Sequence, residues 1–107
     1  MNGSLVAVLA ADVAGYSKLM GDDAKSTLVA LKRLRTEIFG PVVASRRGRV
    51  VKNMGDGWIV LFGAATDAAS CALQIQELMT NNLSHIVPEI RLRLGVHLSD
   101  VSTHGSK

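Results

Sequence analysis

Apolar residues fill every position from Leu5 to Ala11, a run that predicts a strand covered on both faces. It ends at Asp12, and Gly15-Tyr16-Ser17 turns the chain. Asp22 or Asp23 is placed to cap a helix, since a short carboxylate accepts from the amides of a first helical turn. Leu28, Leu31, Leu34 and Ile38 recur at helical spacing beside Ala24 and Phe39, while Lys25, Lys32, Arg33 and Thr36 fall mostly on the other side. That is an amphipathic helix. Gly40-Pro41 should end or kink it, because proline lacks the amide donor and clashes with the preceding turn.

Arg49 to Asn53 and Trp58 to Phe62 read as strands joined by Met54-Gly55-Asp56-Gly57, glycines around an aspartate being a hairpin signal. Thr66 and Asp67 open a second helix with Ala68, Ala72, Ile75 and Met79 on one face, closing at Asn81-Asn82. From Ile90 to Leu98 apolar residues alternate with Arg91 and Arg93, the pattern of a half-exposed strand. The resulting β-α-β-β-α-β order predicts an α+β, ferredoxin-like sandwich: an antiparallel sheet with helices on one face. Each crossover leaves a gap that another strand fills, so the expected spatial order is 4-1-3-2. The end of strand one, with Asp12, should then meet the start of strand three, with Asp56.

With 107 residues, 48% hydrophobic and 20% charged, the chain has the size and composition of one globular domain. The net charge of +3 suits an anionic ligand but is too small to mark a nucleic-acid protein. An RNA-binding domain with this strand order would carry stacking aromatics on its central strands. Strand one has none, so no nucleic-acid partner is expected. The lone Cys71 excludes an internal disulfide and suits a reducing, cytoplasmic setting; on an apolar helix stripe it reads as a small core residue. No apolar run approaches the ~20 residues of a membrane span, so no direct membrane segment is expected.

Taken singly, Asp12 is a helix-entry or loop residue, Asp56 a turn residue and Lys52 a solvated strand end. Arg46, Arg47 and Arg49 read as a solvated surface cluster. His97 reads as a packed or edge histidine, and His85 and His104 have no metal-ligand spacing to it. Together the two aspartates make a different picture. Adjacent carboxylates repel, and a divalent cation removes that penalty. Magnesium takes hard oxygen ligands and binds through one or two carboxylates plus substrate phosphates. The turn Val13-Ala14-Gly15-Tyr16-Ser17 leads into a helical region whose amides are suited to phosphate oxygens. Lys52 adds a cation at the end of strand two.

The stretch Leu9-Ala10-Ala11-Asp12-Val13-Ala14-Gly15-Tyr16-Ser17-Lys18-Leu19 resembles the first metal motif of class III adenylate/guanylate cyclases, and Gly48 to Gly57 resembles the second. Similarity continues in order through Ala68-Ala69, Ala72 to Gln76 and Arg91 to His97. The resemblance implies that Asp12 and Asp56 hold two Mg2+ (or Mn2+) ions with the Val13 carbonyl as a further ligand. It implies catalytic roles for both aspartates, and substrate contacts at Ala14, Gly15, Tyr16, Ser17 and Gly55. Lys52 stands where adenylate cyclases place a base-selecting lysine; an ammonium donates only, which suits the N1 acceptor of adenine, though the same donor can reach guanine O6, so it favours ATP without fixing the choice. The implied reaction converts ATP to cyclic AMP and pyrophosphate, in a site shared across a homodimer.

Two departures qualify this. Ser99 stands where the family usually has glycine, and residues 100–107 contain no counterpart of the asparagine and arginine that the family carries farther on. The chain therefore reads as a single partial catalytic domain over residues 1–107, expected to bind substrate with little or no turnover alone. The competing reading is a non-catalytic cyclase-like module that binds nucleotide or dimerises.

Overall fold

The structure is a computed structural model describing residues 3–82 and 88–102, with side chains described over 6–81 and 88–99. The elements run β1 (Gly3–Val13), α1 (Tyr16–Leu34), a π-helical turn (Arg35–Phe39), α2 (Gly40–Ser45), β2 (Arg49–Met54), β3 (Gly57–Phe62), α3 (Ala65–Asn82) and β4 (Leu92–Ser102). The four strands lie in the order β2-β3-β1-β4, every pairing antiparallel. This is the 4-1-3-2 arrangement expected from the element order.

Successive strand residues face opposite sides, and one side carries the core. Ala7, Leu9, Ala11 and Val13 of β1 and Trp58, Val60 and Phe62 of β3 are buried beneath Leu34, Phe39, Ile75 and their neighbours. Phe39 and Trp58 stack with ring centroids 4.6 Å apart. On the other side, Val6, Val8, Ala10, Ile59 and Leu61 are only half-buried. The strand expected to be covered on both faces is thus covered on one, because the helices pack on a single side of the sheet.

The first helix departs from its expected limits at both ends. It begins at Tyr16, with Gly15 at the N-cap in the left-handed region (φ 66°), where a residue lacking Cβ meets no penalty. Asp23 breaks it with extended backbone (φ −162°, ψ 92°). There its carboxylate accepts the Ser26 amide at 3.0 Å and the Ser26 hydroxyl at 2.8 Å. Asp23 is therefore a cap, but of a restart inside the helical segment rather than of its beginning. The buried Thr27 hydroxyl donates across the break to the Leu19 carbonyl at 2.9 Å.

Gly40-Pro41 does not end the helical run. The chain absorbs one extra residue in the π turn, whose last carbonyl bond runs from the Gly40 amide to Arg35, and continues to Ser45. Pro41 follows directly on the π turn within this continuous run and supplies no amide donor there. The core-facing set becomes Thr27, Ala30, Leu31 and Leu34, then Ile38, Phe39, Val42 and Val43. Leu28, expected on the apolar stripe, is 51% exposed, and Ala24 is exposed too.

Strand β4 begins at Leu92 rather than Ile90 and runs on to Ser102; Ile90 is buried in the preceding segment. Cys71 and Trp58 are core residues, and His97 is exposed on the edge strand. His85 and His104 lie outside the described residues.

Candidate functional site

Asp12 follows Leu9 and Ala11, whose side chains enter the core, so alternation turns its carboxylate to the helix-free face. There it is 49% exposed. In the ladders it stands opposite Gly57 of β3 and opposite Arg93 of β4. The next amide, Val13, donates to the Asp56 carbonyl at 2.8 Å. That bond ties the β2–β3 turn to the end of β1 and brings Asp12 and Asp56 to one corner of the sheet.

Gly57 makes the approach feasible. A Cβ there would lie 2.5 Å from the Ala11 carbonyl oxygen and 3.3 Å from Asp12 Cα, closer than a side chain can stand to backbone. Gly55 sits in the same turn, and a Cβ on it would lie 3.5 Å from the Tyr16 hydroxyl. The start of α1 therefore lies directly beside the Asp56 turn. No side chain caps that helix start, and first-turn amides such as those of Tyr16 and Ser17 have no intrahelical acceptor. The Ala14 amide, by contrast, is committed to the Arg91 carbonyl at 2.8 Å. A phosphate cradle expected over Ala14 to Ser17 can accordingly use amides only from Gly15 onward.

Lys52 stands opposite Ile59, which stands opposite Ala10. Directly paired residues share a face, so Lys52 belongs to the helix-free side with Asp12. It is exposed. Two strand spacings, about 10 Å, separate its strand from β1. A shallow groove of about 390 Å³ occupies this face, lined by Ala10, Asp12, Met54, Ile59, Arg93 and Gly95 among others.

Arg93 was not among the site residues expected from the sequence. Its Nε–H donates to Asp12 Oδ1 at 2.8 Å, and this bond, with the carboxylate charge, pushes its pKa further up. The alternation around Arg91 and Arg93 places both on the polar side of a strand, but only the β1–β4 register says which of them meets Asp12.

Among the described residues no group of three or more His, Cys, Asp or Glu side chains gathers in one place. Two aspartates brought to one corner beside a helix start fit a hard cation that keeps waters and takes its remaining ligands from phosphate oxygens. The residues present fit magnesium held in that way.

The sequence pattern of the family described as the adenylate and guanylate cyclase catalytic domain matches residues 2–104. The chain belongs to that family. The protein called "Putative adenylate cyclase 3" from Rhizobium meliloti (strain 1021) is 43% identical over 105 residues, covering 95% of this chain and 18% of that protein. The adenylate/guanylate cyclase/hydrolase of Silicibacter pomeroyi has 37% identity and a TM-score of 0.81, over 92% of this chain and 58% of its own. The guanylate cyclase domain of RhGC from Catenaria anguillulae, solved with GTP, shares the fold at 20% identity and a TM-score of 0.82, over 95% of this chain and 60% of its own. This cyclase-family chain thus spans less than a fifth of the curated relative and about three-fifths of the solved ones. No helix among its described residues is long and apolar enough to cross a membrane.

Proposed function

We propose that the chain is the metal- and nucleotide-gripping part of an adenylate cyclase catalytic domain. The observation that carries this reading is the Val13–Asp56 backbone bond, which holds Asp12 and Asp56 at one corner beside the start of α1. Asp12, Asp56 and the Val13 carbonyl would hold two magnesium or manganese ions. Bound there, the ions would activate the ribose 3′-hydroxyl and neutralise the triphosphate and leaving pyrophosphate.

The chain's own residues would orient the substrate. Amides from Gly15, Tyr16 and Ser17 would face the phosphates, with Gly55 leaving room at the Asp56 turn. Lys52 would meet the base. Its place two strands from Asp12, on the same face, matches the spread of a nucleotide with its phosphates at the sheet corner. A donor-only ammonium suits adenine N1 and makes ATP the proposed substrate, with guanine O6 the acceptor GTP would offer instead. In the reaction the 3′-hydroxyl would lose its proton to water, its oxygen would bond to the α-phosphorus, and the bond from the α-phosphorus to the oxygen bridging to the β-phosphate would break, releasing pyrophosphate.

The half-buried Val6, Val8, Ala10, Ile59 and Leu61 on the helix-free face support a homodimer in which that face meets a second copy. The lone Cys71, with no second cysteine in these 107 residues to form a disulfide, suits the proposed cytoplasmic setting. Residues 1–107 taken alone are proposed to form a single partial catalytic domain that binds nucleotide with little or no turnover.

The test is equilibrium binding of a non-reactive ATP analogue to the 107-residue chain with Mn2+ or with chelator, alongside Asp56→Asn. Metal-dependent binding that is lost in the variant, and stronger for ATP than for GTP analogues, is the expected result. Binding indifferent to metal and to Asp56 would leave the dimerisation module as the better account.

A further inference from the structure

We propose that Arg93 is an internal counter-cation for Asp12, which a divalent ion must displace to enter the site. The proposal rests on the metal reading above and adds a competitor for the same carboxylate. Arg93 and Asp12 are cross-strand partners in the β1–β4 ladder, so their backbones hold the two side chains within reach whether or not anything is bound. The bond runs from Nε–H to Oδ1 at 2.8 Å, occupying an oxygen of the carboxylate that a cation would also need.

The pair is built to open. The Arg93 side chain is 70% exposed, so the guanidinium can rehydrate when it leaves. It also has somewhere to go. The next residue on the same face of β4 is Gly95, around which a Cβ would meet nothing within 4 Å, and Gly95 stands opposite the small Ala10. Both line the groove that contains Asp12 and Arg93. A guanidinium swung along this row stays on the face while clearing Asp12.

The electrostatics point the same way. With no cation bound, a single positive charge offsets Asp12. A doubly charged ion would find Asp56 in the adjoining turn as well, whereas among the described residues Arg93 bonds Asp12. Exposed pairs of this kind are weak and salt-screened, so displacement is feasible and should lower metal affinity by a modest, measurable factor.

The test is Mn2+ titration of the nucleotide-free 107-residue chain, following free ion by electron paramagnetic resonance. Wild type is compared with Arg93→Gln, Arg93→Lys, Asp12→Asn and Asp56→Asn at low and high salt. Arg93→Gln is expected to bind roughly two- to fivefold more tightly, the range that exposed charge pairs span. Arg93→Lys should fall between it and wild type, and the gain should shrink with salt. An unchanged or weaker Arg93→Gln, or no binding in either protein, overturns the proposal. If Asp12→Asn loses binding while Arg93→Gln is unchanged, the metal reading stands and the competition fails. If both aspartate variants bind like wild type, the metal reading itself fails.

A through-space effect of charge is separated from displacement by nuclear magnetic resonance with Mg2+. The Arg93 Nε–H signal should move to the position of a solvated guanidinium at the same ion concentration that shifts the Asp12 and Val13 amides. A stationary Nε–H signal alongside shifting amides would contradict displacement.

Discussion

Gly57 stands directly opposite Asp12 in the β1–β3 ladder, and any Cβ at Gly57 would press on the Ala11 carbonyl and the Asp12 backbone. The glycine therefore sets how closely the Asp56 turn can lie against the end of β1. Gly57→Ala should destabilise the fold by about 1–3 kcal/mol, the usual scale for forced overpacking. It should also weaken metal binding in whatever fraction remains folded. Denaturant titration with parallel Mn2+ binding checks both.

Trp58 carries the core beneath the site. It stacks on Phe39, which the π turn delivers to the sheet, while its indole Nε1–H is buried without a partner among the described residues. Replacing an unpartnered donor with a hydrocarbon of similar shape removes little that stabilises. Trp58→Phe is expected to cost less than about 1.5 kcal/mol, and Trp58→Ala about 3–5 kcal/mol. Urea unfolding followed by circular dichroism distinguishes these outcomes.

Hydrogen bonds from Ser26 hold the Asp23 carboxyl below its ordinary value of 3.8. A depressed folded-state value means that this contribution is present above the ordinary carboxylate range and lost as pH falls through the depressed value. Asp23→Ala should lower the Tm at neutral pH. The difference from wild type should shrink as acid protonates the cap. Thermal melts across an acid series measure it.

Burial pushes the Cys71 thiol up to about 11 from an ordinary 9.0. The folded chain then keeps a proton that the unfolded chain would release. The associated stability is complete below the ordinary value and declines as pH rises toward the folded one. Native Cys71 should resist alkylation at neutral pH and react at the unfolded rate in denaturant, which mass spectrometry of the labelled chain can follow.

Much of this was legible in the residues. The β-α-β-β-α-β order implied the strand order, and that order implied that Asp12 and Asp56 would meet. What escaped depended on register and local backbone. Leu28 looked like a core position, but the buried stripe before the π turn is Thr27, Ala30, Leu31 and Leu34, and Leu28 falls beside it. Gly40-Pro41 looked like a stop because the residues do not show that a π turn precedes the proline and lets the helical run continue. Arg93 carried no motif of its own; its meaning came from standing opposite Asp12, and strand alternation alone does not choose a partner across a ladder.

The central claim is that Asp12 and Asp56 jointly bind cations carrying a nucleotide's phosphates. Its most direct test is a crystal structure of the chain soaked with an ATP analogue and manganese, with anomalous scattering recorded at the manganese edge. The account predicts peaks within coordination distance of both carboxylates, with the phosphates running toward Tyr16 and Ser17. Manganese bound away from both aspartates, or a saturating soak that leaves this corner without an anomalous peak, would contradict it.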